Sequence, residues 1–217
     1  MALLRLGVLV SGNGTLLQSI VDAIGSERLA AQVAVVVSNV PGVRALERAR
    51  EAGVEAQVVD HGAYADRQAF DQAVVEILRA RGVEVVVLAG FMRLVTPVLL
   101  EAFPMRVVNV HPALLPAFPG MRAQRQALDY GVRVAGCTVH FVDGGTDTGP
   151  IVAQAVVPVL EGDDEDSLRQ RILAREHELL PLVLQWIAEE RVTVEPASSG
   201  RPRVRVREAA TAIGVRP

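Results

Sequence analysis

The run Leu6-Gly7-Val8-Leu9-Val10-Ser11-Gly12-Asn13-Gly14-Thr15-Leu16-Leu17 decides the fold. An almost unbroken apolar stretch ends at two closely spaced glycines and passes at once into helical spacing over 16–24. A strand apolar at every position is covered on both faces, as strands are when crossover helices pack on a parallel sheet. The two glycines let backbone N–H groups approach an anion at the N-terminus of the following helix. A dinucleotide fingerprint needs a third glycine where Leu17 stands, and an acidic residue where the second strand ends in Ser38-Asn39. A bound phosphate therefore suits this turn better than a nicotinamide dinucleotide; a plain tight turn is the alternative.

Outward from this unit the pattern repeats. Residues 33–38, 56–59, 83–89 and 107–110 read as further buried strands, and 43–52, 67–81 and 97–102 as helices. Gly82 stops the helix 67–81; Thr96 as cap and Pro97 at the first helical position start the next. The βαβ rhythm predicts an α/β, Rossmann-like fold: an open, mostly parallel twisted sheet with helices on both faces. A helix over 122–130 ends at Gly131, after which the rhythm changes. Residues 134–142 and 151–159 read as mixed C-terminal strands around the loop Asp143-Gly144-Gly145-Thr146-Asp147-Thr148-Gly149-Pro150. The acidic run 163–166 lacks the ligand spacing of a cation loop and suits the start of a long helix reaching about residue 190. Val192-Thr193-Val194 and Val204-Arg205-Val206-Arg207, around Ser198-Ser199-Gly200, predict a short exposed hairpin, with alternating Arg charging its edge. The expected organisation is a domain over 1–190 with an appended tail, 191–217.

Composition narrows the chemistry. The chain has 217 residues, a formal charge of −3, and 22 basic residues, every one an Arg. Absence of Lys removes the phosphate-loop lysine, Schiff-base lysines and lysine general bases together. Near-neutral charge gives no general pull toward nucleic acid or membrane. No uncharged apolar run reaches the roughly 18 residues that a membrane helix needs. A single Cys137 cannot form an internal disulfide, which points to a reducing, cytoplasmic setting.

The stretch Val107-Val108-Asn109-Val110-His111-Pro112 carries the chemistry. Asn109 and His111 stand at i and i+2, on one face of a strand, at the carboxyl end where open α/β sheets bind ligands. Asp147 lies in the glycine-rich loop, whose flexible backbone brings its carboxylate to the same crevice. An amine attacking a formyl carbonyl develops an oxyanion. Asn109 can donate to it, protonated His111 can add charge or a proton, and Asp147 would keep His111 protonated and could receive the amine's proton. No metal is expected, because His61, His111, His140 and His177 are scattered. A serine nucleophile is not expected either, for want of a Gly-x-Ser-x-Gly elbow.

These residues resemble a known family. Asn109-Val-His111-Pro-Ala-Leu-Leu-Pro116, followed by Phe118-Pro-Gly120, is similar to the signature of folate-dependent formyltransferases. The loop around Asp147 resembles their catalytic aspartate loop, and Val87 to Val95 their folate-contacting segment. Ser11-Gly-Asn-Gly14 resembles the phosphate loop of the glycinamide ribonucleotide branch. The resemblance, from about 6 to about 187, implies transfer of a formyl group from 10-formyltetrahydrofolate, as co-substrate, to 5'-phosphoribosylglycinamide by a cytoplasmic monomer or homodimer. It implies catalytic roles for Asn109, His111 and Asp147. It places the formyl folate at Arg67, Met92, Arg93, Leu94, Val95 and Asn109. The substrate phosphate falls to Gly14, Thr15 and Leu16, the ribose hydroxyls to Glu176, and a supporting place beside the folate to His140. Leu16 and Ala117 depart from the family, whose members often carry Asn and a basic residue there.

Other features read as ordinary structure. Trp186 and the apolar positions of the last helix have core spacing, and His177 suits a helix surface or packing position. A formyltransferase acting on tRNA is expected to add a C-terminal β-barrel, and a formyltetrahydrofolate hydrolase an N-terminal regulatory domain. A non-catalytic phosphate-binding module would use the glycines but leave Asn109, His111 and Asp147 without a role.

Overall fold

The computed structural model describes residues 3–196, 200, 202–208 and 212–213, in two compact units, 1–109 and 110–217. In the first, β1 (Leu4–Val10), α1 (Thr15–Gly25), β2 (Ala31–Ser38), α2 (Arg44–Glu51) and β3 (Ala56–Val58) are followed by a 3-10 turn, His61–Ala63. Then come α3 (Arg67–Ala80), β4 (Val85–Leu88), α4 (Pro97–Ala102) and β5 (Val107–His111), the last running past the end of the unit. The strands lie in the order β3-β2-β1-β4-β5, and every pairing among them is parallel. Chain direction across the sheet therefore reverses at the β1/β4 boundary. Right-handed crossovers then put α1 and α2 on one face and α3 and α4 on the other. Packing agrees: α1 lies against α2, and α3 against α4.

Apolar strands hold this unit together. Leu6, Val8, Val10, Val35, Val36, Val85, Val86 and Val87 are fully buried, each such side chain contributing about 1.5–3 kcal/mol on transfer from water. Thr96 occupies the N-cap position of α4, but its hydroxyl makes no cap bond. Its N–H instead donates to the buried Asp71 carboxylate of α3 at 2.5 Å, a contact between helices that local spacing does not reveal.

The second unit contains α5 (Ala123–Tyr130), β6 (Val134–Phe141), β7 (Ile151–Pro158), α6 (Glu165–Ala188), β8 (Val192–Glu195), β9 (Arg203–Val206) and β10 (Ala212–Ile213). β6 and β7 are antiparallel, β10 joins β7 in parallel, and β8 and β9 form the expected hairpin. Residues 198 and 199 of its turn lie outside the described residues. The acidic run explains the start of α6: Asp164 and Ser167 form a reciprocal capping box, and Asp163 pairs with Arg171 at 2.7 Å. The helix packs on β6, β7 and α5, burying Leu168, Ile172, Leu179, Leu180 and Leu184, with Trp186 in the core as expected. The predicted class is borne out: α/β, a mostly parallel sheet that includes the antiparallel pair β6–β7, a long late helix and a short hairpin. β10 and the 3-10 turn were not anticipated. Among the described residues, no helix is long and apolar enough to cross a membrane.

Candidate functional site

In the second unit, β5 ends at His111, 5% exposed, with Asn109 two residues before it and hence on the same strand face. The chain that follows is stapled by two strand side chains. Thr138 of β6 donates its hydroxyl to Ala113 O at 2.7 Å and accepts from Leu115 N at 3.0 Å. Gln154 of β7 donates to Leu115 O and to the Thr138 hydroxyl, at 2.9 and 3.0 Å. Held in this way, the segment brings Phe118 O to 2.9 Å from Nε2 of His111. Two residues on, Gly120 N–H donates to Asp147 Oδ2 at 2.8 Å, and that oxygen stands 3.3 Å from Nδ1 of His111. Both ring nitrogens thus face oxygen acceptors, an arrangement in which only the doubly protonated ring donates to both.

The Asp147 loop is pinned rather than loose. Asp143 Oδ1 accepts from Gly145 N at 3.0 Å and from the Thr148 hydroxyl at 2.6 Å. At Gly149 a Cβ would come 1.8 Å from Phe141 O, so only glycine fits where the loop rejoins the sheet. Asp147 itself takes φ of 54°, a left-handed conformation tolerated best by Asp and Asn among non-glycine residues. His140 lies at a register irregularity in β6, a device that re-aims side chains. Its Nδ1 donates to Phe141 O at 2.9 Å, and its Nε2 stands 3.8 Å from Asp147 Oδ1. Burial holds its pKa below the ordinary imidazole value, against the opposing pull of Phe141 O and Asp147. His111, Asp147 and His140 are therefore one cluster.

Glu176, on α6, is buried, and burial pushes its carboxyl up to about 7. The Cys137 thiol is pushed up to about 12, by burial first and then by the charge of Glu176, which makes it a packing residue rather than a nucleophile. An apolar cavity of about 410 Å³ opens beside the stapled segment, lined by Leu114, Ala117, Phe118, Ala127, Tyr130 and Val134 among others. None of the clustered polar residues lines it, so it is distinct from the chemistry.

In the first unit, the glycine turn joins β1 to α1. Gly14 is the N-cap, with φ of 75°, and offers no side chain to the first-turn N–H groups. A Cβ there would also stand 2.6 Å from the Ala45 Cβ of α2. Structure alone thus requires glycine at 14. Gly12 differs: no atom lies within 4 Å of the place a Cβ would take, and its φ is not left-handed. Packing thus accounts for glycine at 14 and does not require it at 12. Leu16 is buried, 8% exposed, so its side chain serves helix packing. Arg48 of α2 docks on the turn through Asn13 O at 3.0 Å and Gln18 Oε1 at 3.1 Å, leaving a cation beside it.

The segment after β4 lies in the same unit. Met92 and Leu94 are 75% and 57% exposed, and the Arg93 guanidinium sits 5.0 Å from the centroid of the Phe70 ring. Asp71, whose pKa burial raises against the Thr96 N–H bond, feels the charges of both Arg93 and Arg67. Of the residues expected to meet a folate, Arg93 thus stands over Phe70, and Arg93 and Arg67 both lie near enough for their charges to act on Asp71. Sequence reasoning missed Asp71, Phe70, Thr138, Gln154 and Phe118 O, because their roles arise from long-range contacts and a backbone carbonyl. Among the described residues, no group of three or more His, Cys, Asp or Glu side chains is placed to hold a metal ion.

A family profile described as formyl transferase matches residues 4–184. A phosphoribosylglycinamide formyltransferase of Mycobacterium tuberculosis is 47% identical over 199 residues, 91% of this chain and 92% of that protein. The trifunctional purine biosynthetic protein adenosine-3 of Drosophila melanogaster is 43% identical over 199 residues; the chain spans only 15% of its length. A crystal structure of glycinamide ribonucleotide transformylase 1 from Symbiobacterium toebii superposes with a TM-score of 0.91 at 55% identity, covering 94% of each chain.

Proposed function

The chain belongs to the formyl transferase family, and we propose that it moves the formyl group of 10-formyltetrahydrofolate onto the amine of 5'-phosphoribosylglycinamide in purine synthesis. The products are formylglycinamide ribonucleotide and tetrahydrofolate. The observation that carries this reading is the buried His111 ring set between the Asp147 carboxylate and a backbone carbonyl, at the end of a strand that also presents Asn109. A ring whose two nitrogens face a carboxylate and a carbonyl oxygen, beside a strand amide, suits a carbonyl that gains negative charge during attack.

The substrate amine attacks the formyl carbon, and the carbonyl oxygen becomes an oxyanion. The Asn109 amide donates to it, and His111 supplies charge or a proton. Asp147 takes up the proton that the amine loses, directly or through water. The tetrahedral intermediate then collapses: the carbonyl reforms, the bond from the formyl carbon to the folate nitrogen breaks, and that nitrogen takes the proton held by Asp147, directly or through water, to leave as the N–H amine of tetrahydrofolate.

We assign the formyl folate to Arg67, Met92, Arg93, Leu94, Val95 and Asn109, with His140 in support through Asp147. The phosphate falls to backbone N–H groups from Gly14, Thr15 and Leu16, and the ribose hydroxyls to Glu176. The catalytic domain in this reading is 1–190, acting in the cytoplasm without a metal. Acceptor choice is the test. With 10-formyltetrahydrofolate in excess, folate release should depend on 5'-phosphoribosylglycinamide. Release of equal rate with formylatable tRNA, or with water alone, refutes the assignment.

A further inference from the structure

The first unit reverses its strand order between β1 and β4, and ligand crevices of open α/β sheets form where strand order reverses. The loops leaving those two strands meet at one residue. Ser11, immediately after β1, donates its N–H to Gly90 O at 3.2 Å. Its hydroxyl accepts from Met92 N at 2.8 Å and donates to Asn39 Oδ1, beyond β2, at 2.6 Å. The Asn39 carbonyl in turn accepts from Nδ1 of His61 at 2.8 Å. A hydroxyl has one proton and two lone pairs; committing the proton to Asn39 turns a lone pair to the Met92 N–H. Met92 itself is 75% exposed, so its own burial does not hold its backbone N–H in place; the Ser11 hydroxyl accepts from it directly.

We propose that Ser11 is a positioning residue that couples the phosphate turn to the folate segment, so that each substrate tightens the binding of the other. This rests on the functional reading above, in which the turn from Gly14 meets the phosphate and 92–95 meet the formyl folate. A phosphate held by the backbone of the turn immobilises the chain that begins at Ser11. The fixed hydroxyl then holds Met92, and a folate that needs this segment ordered meets it already in place. Coupling of this kind is reciprocal between the two ligands. A serine that only stabilises the fold predicts something else: its loss weakens both ligands independently and leaves their mutual effect unchanged.

The test uses tetrahydrofolate with 5'-phosphoribosylglycinamide, a pair that cannot react because neither carries a formyl group. Calorimetry gives the Kd of tetrahydrofolate without and with saturating ribonucleotide. In the unaltered protein the ribonucleotide should lower that Kd about fivefold or more. Ser11→Ala should bring the ratio close to one, and Ser11→Thr, which keeps the hydroxyl, should restore it. Should Ser11→Ala fail to fold, Asn39→Ala removes the acceptor that orients the hydroxyl and is expected to reduce the same ratio. A ratio of one in the unaltered protein, or an equal ratio in the folded variants, overturns the coupling. An unaltered protein that binds neither ligand refutes the functional reading as well, so the two failures are distinguishable.

Discussion

The Asp147 carboxylate stands 3.3 Å from Nδ1 of His111, with Gly120 N–H donating to the same oxygen at 2.8 Å. A loop between two strands and the segment after β5 are thereby locked to one histidine. The carboxylate is thus held against one ring nitrogen of His111 by a backbone N–H that donates to the same oxygen.

From this comes the first prediction. Asp147→Asn keeps an oxygen for Gly120 N–H but removes the charge beside His111. Turnover should fall by at least about a hundredfold, while the KM of each substrate changes little, because the lost interaction is felt as charge develops. Steady-state kinetics on the folded variant check it. A large rise in KM with normal kcat would make Asp147 a binding residue instead.

The second prediction separates the two glycines of the turn. Gly14→Ala forces a left-handed conformation that costs about 1–2 kcal/mol and places a methyl against Ala45, so its melting temperature should drop. Gly12→Ala meets open space and should leave stability unchanged while raising the KM for the ribonucleotide. The KM for the formyl folate serves as internal control. An unchanged ribonucleotide KM in Gly12→Ala would mean that the phosphate does not approach the turn at that point.

Much of this was legible before any coordinates. Apolar runs such as 6–10 and 83–89 mark strands covered on both faces, and period two put Asn109 and His111 on one face. Other parts had no local signal. Thr96 and Pro97 start α4 as expected, but the donation of the Thr96 N–H to Asp71 of another helix has no local signal. Thr138 and Gln154 look like ordinary strand residues until β6 and β7 pair and bring both to Leu115. Phe118 acts through its carbonyl, which residue type does not report. The loop at Asp147 reads as flexible from its glycines, yet Gly149 is dictated by contact with Phe141 O and Asp143 pins the turn. Gly14, taken for a phosphate glycine, has a structural cause as well.

A third prediction concerns pH. Burial raises the Glu176 carboxyl from 4.5 in the unfolded chain to about 7 in the fold. Below pH 4.5 both states are protonated and the residue is neutral to stability. As pH rises from 4.5 to 7 the unfolded chain ionises first, so stability falls; above 7 the loss levels off at about 3 kcal/mol. Glu176→Gln, with the same shape and no charge, should escape it. Urea unfolding at pH 5 and pH 8 should show the variant gaining on the unaltered protein at the higher pH. An equal difference at both values contradicts the buried, protonated carboxyl.

The central claim is that His111 assists the formyl transfer itself, and single-turnover formyl transfer in His111→Ala tests it most directly. Both substrates are mixed with excess enzyme, and the formylated ribonucleotide is followed in time. The account predicts a rate at least about a hundredfold below the unaltered protein, with both substrates still bound and the fold intact by melting. A folded His111→Ala protein that transfers the formyl group at close to the unaltered rate would contradict it.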